Sequence, residues 1–212
     1  MSSFRLDETA GRAVHAPTPS GSWPRTLAGV LLALCVLLGA TLAGGGGPAS
    51  GADGVDEYDL KAAFLGQFVK FVTWPEERLG EKEALVLGVF GQDPFGKRLE
   101  DTFQKRKDGE RKVTVRRLTK LEELREVHVL FLPEREIARL KEVLAALSGA
   151  NVLVVGESAD FAAQGGSINF YTEEDKLRFE INPEAAKRQK LKISSDLLKL
   201  ARIVKEKAPA KD

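Results

Sequence analysis

Few residues in this 212-residue chain are of a type and spacing that could do chemistry. Gly88, Gly91 and Gly96 follow an apolar run and precede a helical pattern, where a phosphate loop would lie. Their spacing matches neither a dinucleotide-binding fingerprint nor a P-loop, which also needs Gly-Lys-Ser/Thr. Only the helix N-terminus argues for phosphate there, and turn geometry explains the glycines equally well. His128 lies inside the apolar run VHVLFL and reads as a core or strand-end imidazole rather than a catalytic base. The other histidine, His15, lies in the N-terminal leader. A Ser-His-Asp triad would have to use His128, and no nucleophile elbow accompanies it. Ser194-Ser195 reads as a helix cap. A hydrolase therefore lacks its base and nucleophile pair. The sole cysteine, Cys35, sits in the apolar part of the leader. Once the leader is removed, thiol catalysis and the usual zinc ligand sets are excluded. The expectation is no enzyme, no cofactor and no metal.

Charge narrows the partners. The chain carries 32 Lys+Arg and 31 Asp+Glu. Removing residues 1–52 takes three of the basic and two of the acidic residues, leaving 29 of each. No net field draws such a domain to nucleic acid or anionic lipid. The basic stretch 97–117 is interleaved with Glu100, Asp101, Asp108 and Glu110, so it reads as a solvated face.

The leader itself has three parts: Arg5, Arg12 and Arg25, then the apolar run 27–43, then glycine and small residues up to Gly54. That order is the pattern of a secretory signal. Cleavage after Ala43 or after Ala52 fits; the run is marginal for a span, which needs roughly 20 apolar residues, and a retained anchor is the alternative because the two patterns overlap in length. Residues 1–52 are thus assigned to a signal peptide and glycine-rich linker, 55–206 to one folded domain, and 207–212 to a disordered tail.

Something must position whatever surface this domain uses. The helix predicted from Tyr58 to about Thr73 carries Leu60, Phe64, Phe68, Phe71 and Val72 on one face, with Lys61, Gln67 and Lys70 on the other. Asp56 or Asp59 can cap it, and Pro75 ends it. Trp74 admits two readings, a core residue or a half-exposed anchor for a partner. Apolar runs at 84–90, 127–132 and 152–155 suit buried strands, and 112–118 alternates as a half-exposed one. Between them fall helical patterns at 94–105, capped by Asp93, and at 134–148, with a turn at 119–125 and a short helix around Phe161 that Gly165-Gly166 ends. The strands 167–171 and 176–181 form a hairpin, with Leu177, Phe179 and Ile181 inward and Arg178 and Glu180 outward. Asn182 caps a helix with Pro183 at its first position. A last helix uses Ile193, Leu197, Leu200, Ala201 and Val204. Alternating strands and helices imply an α/β fold: a three-layer α/β/α sandwich, mostly parallel, with a C-terminal antiparallel hairpin.

Six blocks, in order, resemble the YfiR-like family of periplasmic bacterial regulators. They are KAAFLGQFVKFVTWP at 61–75, LGVFGQDPFG at 87–96, VHVLFL at 127–132, GGSINF at 165–170, LRFEIN at 177–182 and LKISSDLLKLARIV at 191–204. The resemblance implies an exported, non-catalytic α/β domain that binds the periplasmic part of an inner-membrane diguanylate cyclase or another sensor. Such binding represses cyclic di-GMP signalling and biofilm formation. Some relatives carry disulfides tied to redox state, which this chain without its leader could not form.

Two functional readings are carried forward. The first is contact regulation, with a possible homodimer, Trp74, Pro75 and Phe71 as candidate partner contacts, and a periplasmic location. The second is a small-ligand sensor, with a pocket at the carboxyl ends of the strands made from Phe95, Gly96, Gly165 and Gly166.

Overall fold

The computed structural model describes residues 56–80, 82–105 and 110–207. The expectations for the signal peptide, the linker and residues 208–212 lie outside these.

Helix α1 (Glu57–Phe71) starts where Asp56 accepts the Tyr58 N–H at 2.8 Å, so Asp56 is the cap. It runs into β1 (Val72–Thr73), a two-residue strand. The central sheet uses β2 (Leu85–Phe90), β3 (Val113–Leu118), β4 (Val129–Leu132), β5 (Leu153–Gly156), β6 (Ile168–Glu173), β7 (Lys176–Ile181) and β9 (Arg202–Ile203). Its order is β3-β2-β4-β5-β6-β7-β9, and every neighbouring pair is parallel except β6 with β7. Between strands lie α2 (Arg98–Gln104), a 3₁₀ segment Leu121–Glu126, a second one Glu134–Arg139, α3 (Leu140–Ala146), α4 (Pro183–Arg188) and α5 (Ser195–Leu200). Strand β8 (Lys192–Ile193) pairs antiparallel with β1 in a separate small sheet.

Strand alternation sends side chains to two faces. On one face α1 places Phe64 and Phe68 against Phe170 and Phe179, with ring centres 5.1–6.1 Å apart. On the other, Phe90, Leu130, Leu132 and Val154 pack with Leu124, Leu140, Val143 and Phe161. Mostly parallel strands with helical layers on both faces and one antiparallel hairpin are the predicted α/β/α sandwich. The hairpin turns through Glu174 and Asp175, both with positive φ (50° and 56°), as a two-residue turn demands.

Several local expectations are corrected. The 94–105 helix begins only at Arg98, because the Asp93 carboxylate takes the Phe95 N–H at 2.8 Å and holds a turn before it. The 134–148 helix is a 3₁₀ segment followed by α3. Phe161 lies in consecutive turns, not a helix. The last helix stops at Leu200, since β7 offers a free edge and β9 pairs with it in parallel, leaving Leu200 40% and Ile203 51% exposed. Glu180 is buried rather than outward, joined by Asn169 at 3.1 Å and Arg202 at 2.5 Å. At the end of the described chain, the Lys207 N–H donates to the Ala163 carbonyl at 2.9 Å.

Candidate functional site

In an open parallel sheet, two neighbouring strands whose onward connections leave in opposite directions open a crevice at their carboxyl ends. Here β2 connects to β3 on one side, while β4 lies on the other side of β2 and leads away to β5. A cleft of about 390 Å³ sits at that switch point, lined by Tyr58, Gln92, Asp93, Pro94, Pro133, Glu134, Arg135 and Glu157. Its walls are the loops after β2, β4 and β5 and the first turn of α1.

A buried ion pair joins these elements. Lys61 Nζ lies 2.5 Å from Glu157 Oε2, and each side chain is 5% exposed. The other Glu157 oxygen accepts the Tyr58 hydroxyl at 3.3 Å and the Glu134 N–H at 3.2 Å. Lys61 also meets Glu57 at 2.5 Å and stands 4.5 Å from the centre of the Tyr58 ring. Burial pulls the Lys61 ammonium down, but the hydrogen bonds it donates to Glu157 and Glu57 outweigh this and hold the group above the usual lysine range. Burial, then the nearby Glu157 carboxylate, pushes the Tyr58 phenol up. Both groups therefore keep their protons at neutral pH: lysine charged, tyrosine neutral. Tyr58 packs edge-on against Phe95 at 5.3 Å, which packs against Phe131 on β4 at 4.8 Å.

Sequence reasoning missed this arrangement. It set Lys61 on the solvent side of α1, and the structure buries it. A Lys one turn after Glu57 reads as an ordinary surface pair; only a third partner, from the loop after β5, makes it internal. The available signal was Glu157 directly after a buried strand, the position where α/β folds place functional side chains. Of the predicted pocket residues, Phe95 is fully buried beneath Tyr58, and Gly96 is exposed with φ +60°. Gly165 and Gly166 lie elsewhere, in the turn before β6, and do not line this cleft; Gly165 lines a separate one of about 340 Å³ with Leu144, Arg188 and Gln189. A Cβ on Gly166 would collide with the Phe161 ring, so that glycine is explained by close packing.

At the opposite end of β4 lies a second polar cluster. Trp74 is 7% exposed, so the half-exposed reading gives way to the core one. Its indole N–H donates to the His128 carbonyl at 3.2 Å. The imidazole accepts the Val86 N–H at Nδ1 (3.0 Å) and faces the Arg78 carbonyl with Nε2 at 3.2 Å. That pattern fits the neutral Nε2–H tautomer. Burial, then the Arg78 charge, lowers the His128 pKa, which keeps the ring neutral. Arg78 also donates to the carbonyls of Val127 (2.7 Å), Arg125 (2.8 Å) and Ala150 (3.3 Å). Phe71 is 9% exposed, and Pro75 is half-buried. The three candidate contact residues fall within the short segment 71–75, but only Pro75 offers appreciable surface.

The fold has distant likenesses among solved structures. The ABC domain complexed with L-Trp from Streptococcus pneumoniae shares 11% identity at a TM-score of 0.46, over 68% of this chain and 60% of that one. A conserved domain protein from Vibrio cholerae shares 13% at 0.48, over the same shares. A ligand-free, open substrate-binding protein with adhesive properties from Clostridium difficile shares 13% at 0.40, over 59% and 56%. This chain thus spans about three fifths of the first two. No curated protein matches the chain. The profile of the YfiR/HmsC-like family, however, matches residues 58–202, from the first turn of α1 into β9, and the chain belongs to that family.

Proposed function

We propose that this protein is an exported, non-catalytic regulator that binds the periplasmic part of an inner-membrane signalling protein and represses a diguanylate cyclase, lowering cyclic di-GMP. The observation carrying this reading is family membership across almost the whole described domain. Contact regulation needs a rigid surface that prefers one conformation of its partner and raises that state's population. The surface proposed includes Pro75 and the exposed Glu76 and Glu77 after it, held in place by buried Trp74 and Phe71. A homodimer and a periplasmic location, by cleavage of the leader or by its retention as an anchor, belong to the same proposal.

The test is deletion of the gene with measurement of cyclic di-GMP, paired with pull-down of the full chain from solubilised membranes. A rise in cyclic di-GMP and capture of a membrane cyclase support the reading. Unchanged levels with no membrane protein captured overturn it.

The switch-point cleft favours a second reading, a small-ligand sensor. Its volume falls within the range of ligand sites. A ligand that binds the native state raises the melting temperature in proportion to the logarithm of its concentration. Thermal shift across a metabolite set, measured without any partner, checks this.

A further inference from the structure

The groups lining the switch-point cleft differ in what they have left to offer. Glu157 is spent on Lys61, Tyr58 and the Glu134 N–H. Asp93 is spent on the Phe95 N–H at 2.8 Å and on Arg117 at 2.8 Å. Arg135 gives one N–H to Gln92 Oε1 at 2.7 Å and forms no ion pair among the described residues. A guanidinium has five N–H donors in a planar fork, so four stay unspent among the described residues, beside the Gln92 amide N–H groups whose oxygen is already engaged. The remaining lining is apolar in part: the rings of Pro94, Pro133 and Tyr58. Glu134 is the one lining carboxylate without an ion pair among the described residues, and it works against an anion.

A planar fork matched to two coplanar oxygens is the usual way a protein holds a carboxylate. We infer that the cleft binds a small organic carboxylate with a compact apolar body, its oxygens on Arg135 and Gln92 and its body against Tyr58, Pro94 and Pro133. The buried Lys61–Glu157 pair does not touch the ligand's charge in this arrangement. It fixes Tyr58 and the Glu134 backbone, and so the shape of the cleft.

This inference rests on the small-ligand reading, and the experiment separates the two. The full chain is titrated by calorimetry and thermal shift with benzoate, with benzylamine and with inorganic phosphate, for the wild type, Arg135→Ala and Glu134→Gln. Both replaced side chains are exposed, so the fold tolerates the changes. Benzoate is expected to bind, Arg135→Ala to weaken it about tenfold or more, as loss of a charge-assisted bond does, and Glu134→Gln to tighten it. Benzylamine or phosphate binding in place of benzoate overturns the carboxylate assignment and leaves the sensor reading standing. Benzoate binding that Arg135→Ala leaves unchanged overturns the assignment as well. No binding by any of the three overturns the assignment, while a hit elsewhere in the metabolite set still supports the sensor.

Discussion

Replacing Lys61 by Met keeps the length of the side chain and removes its charge. Among the described residues, the structure then leaves Glu157, 5% exposed, with the Tyr58 hydroxyl and the Glu134 N–H as partners. Removing one member of a buried pair costs about 3–5 kcal/mol, because the survivor is buried without compensation. Two neutral hydrogen bonds remain on Glu157, so the lower end, about 3 kcal/mol, is expected. In a domain of this size about 1 kcal/mol moves the melting temperature by roughly 2–4 °C, so the loss is ~6–12 °C. Replacing both partners, Lys61→Met with Glu157→Leu, removes the orphaned charge, and buried pairs exchanged for apolar residues often cost little or nothing. The double variant is therefore expected to be more stable than Lys61→Met alone, a strongly non-additive cycle. Urea unfolding of the four proteins followed by circular dichroism measures it. A Lys61→Met variant within about 0.5 kcal/mol of wild type, or additive effects, would refute the account of a desolvated pair.

Three further outcomes are expected. His128 is neutral in the fold, and its pKa is lowered by burial and then by Arg78. The unfolded state, with a histidine pKa of about 6.5, binds the extra proton first. The native state therefore loses stability as pH falls through that value toward the folded pKa. Urea midpoints between pH 8 and pH 5 should show this loss, and His128→Gln should flatten it. Trp74→Phe leaves the His128 carbonyl without the indole donor, at about 1–2 kcal/mol in equilibrium unfolding. The same experiment on Gly166→Ala should show a loss of at least about 2 kcal/mol, because the new methyl meets the Phe161 ring in a packed core.

Much of this fold was legible in the sequence because its signals are local. The aromatic stripe Phe64-Phe68 obeys helical spacing and does pack on the sheet. Asn182 sits one residue before Pro183 and does cap α4, its side chain accepting the Ala185 N–H at 3.0 Å. The apolar runs at β2, β4 and β5 are continuous because both faces are covered. What failed was decided at a distance. The segment after Leu200 has helical spacing, yet the free edge of β7 draws Arg202 and Ile203 into a strand, because pairing with the edge satisfies backbone groups that a helix end would leave to water.

The site divides the same way. The order of six short blocks in the sequence pointed to the family. They could not show that Lys61, on the apparent solvent side of α1, meets Glu157 from the loop after β5, 96 positions further along the chain. Nor could they show that Trp74 lies inside, or that the glycines placed together in a pocket sit in separate parts of the fold. Side-chain spacing along one element determines which face it buries. Which charges meet once faces are buried depends on strand order, and strand order exists only when the sheet is assembled.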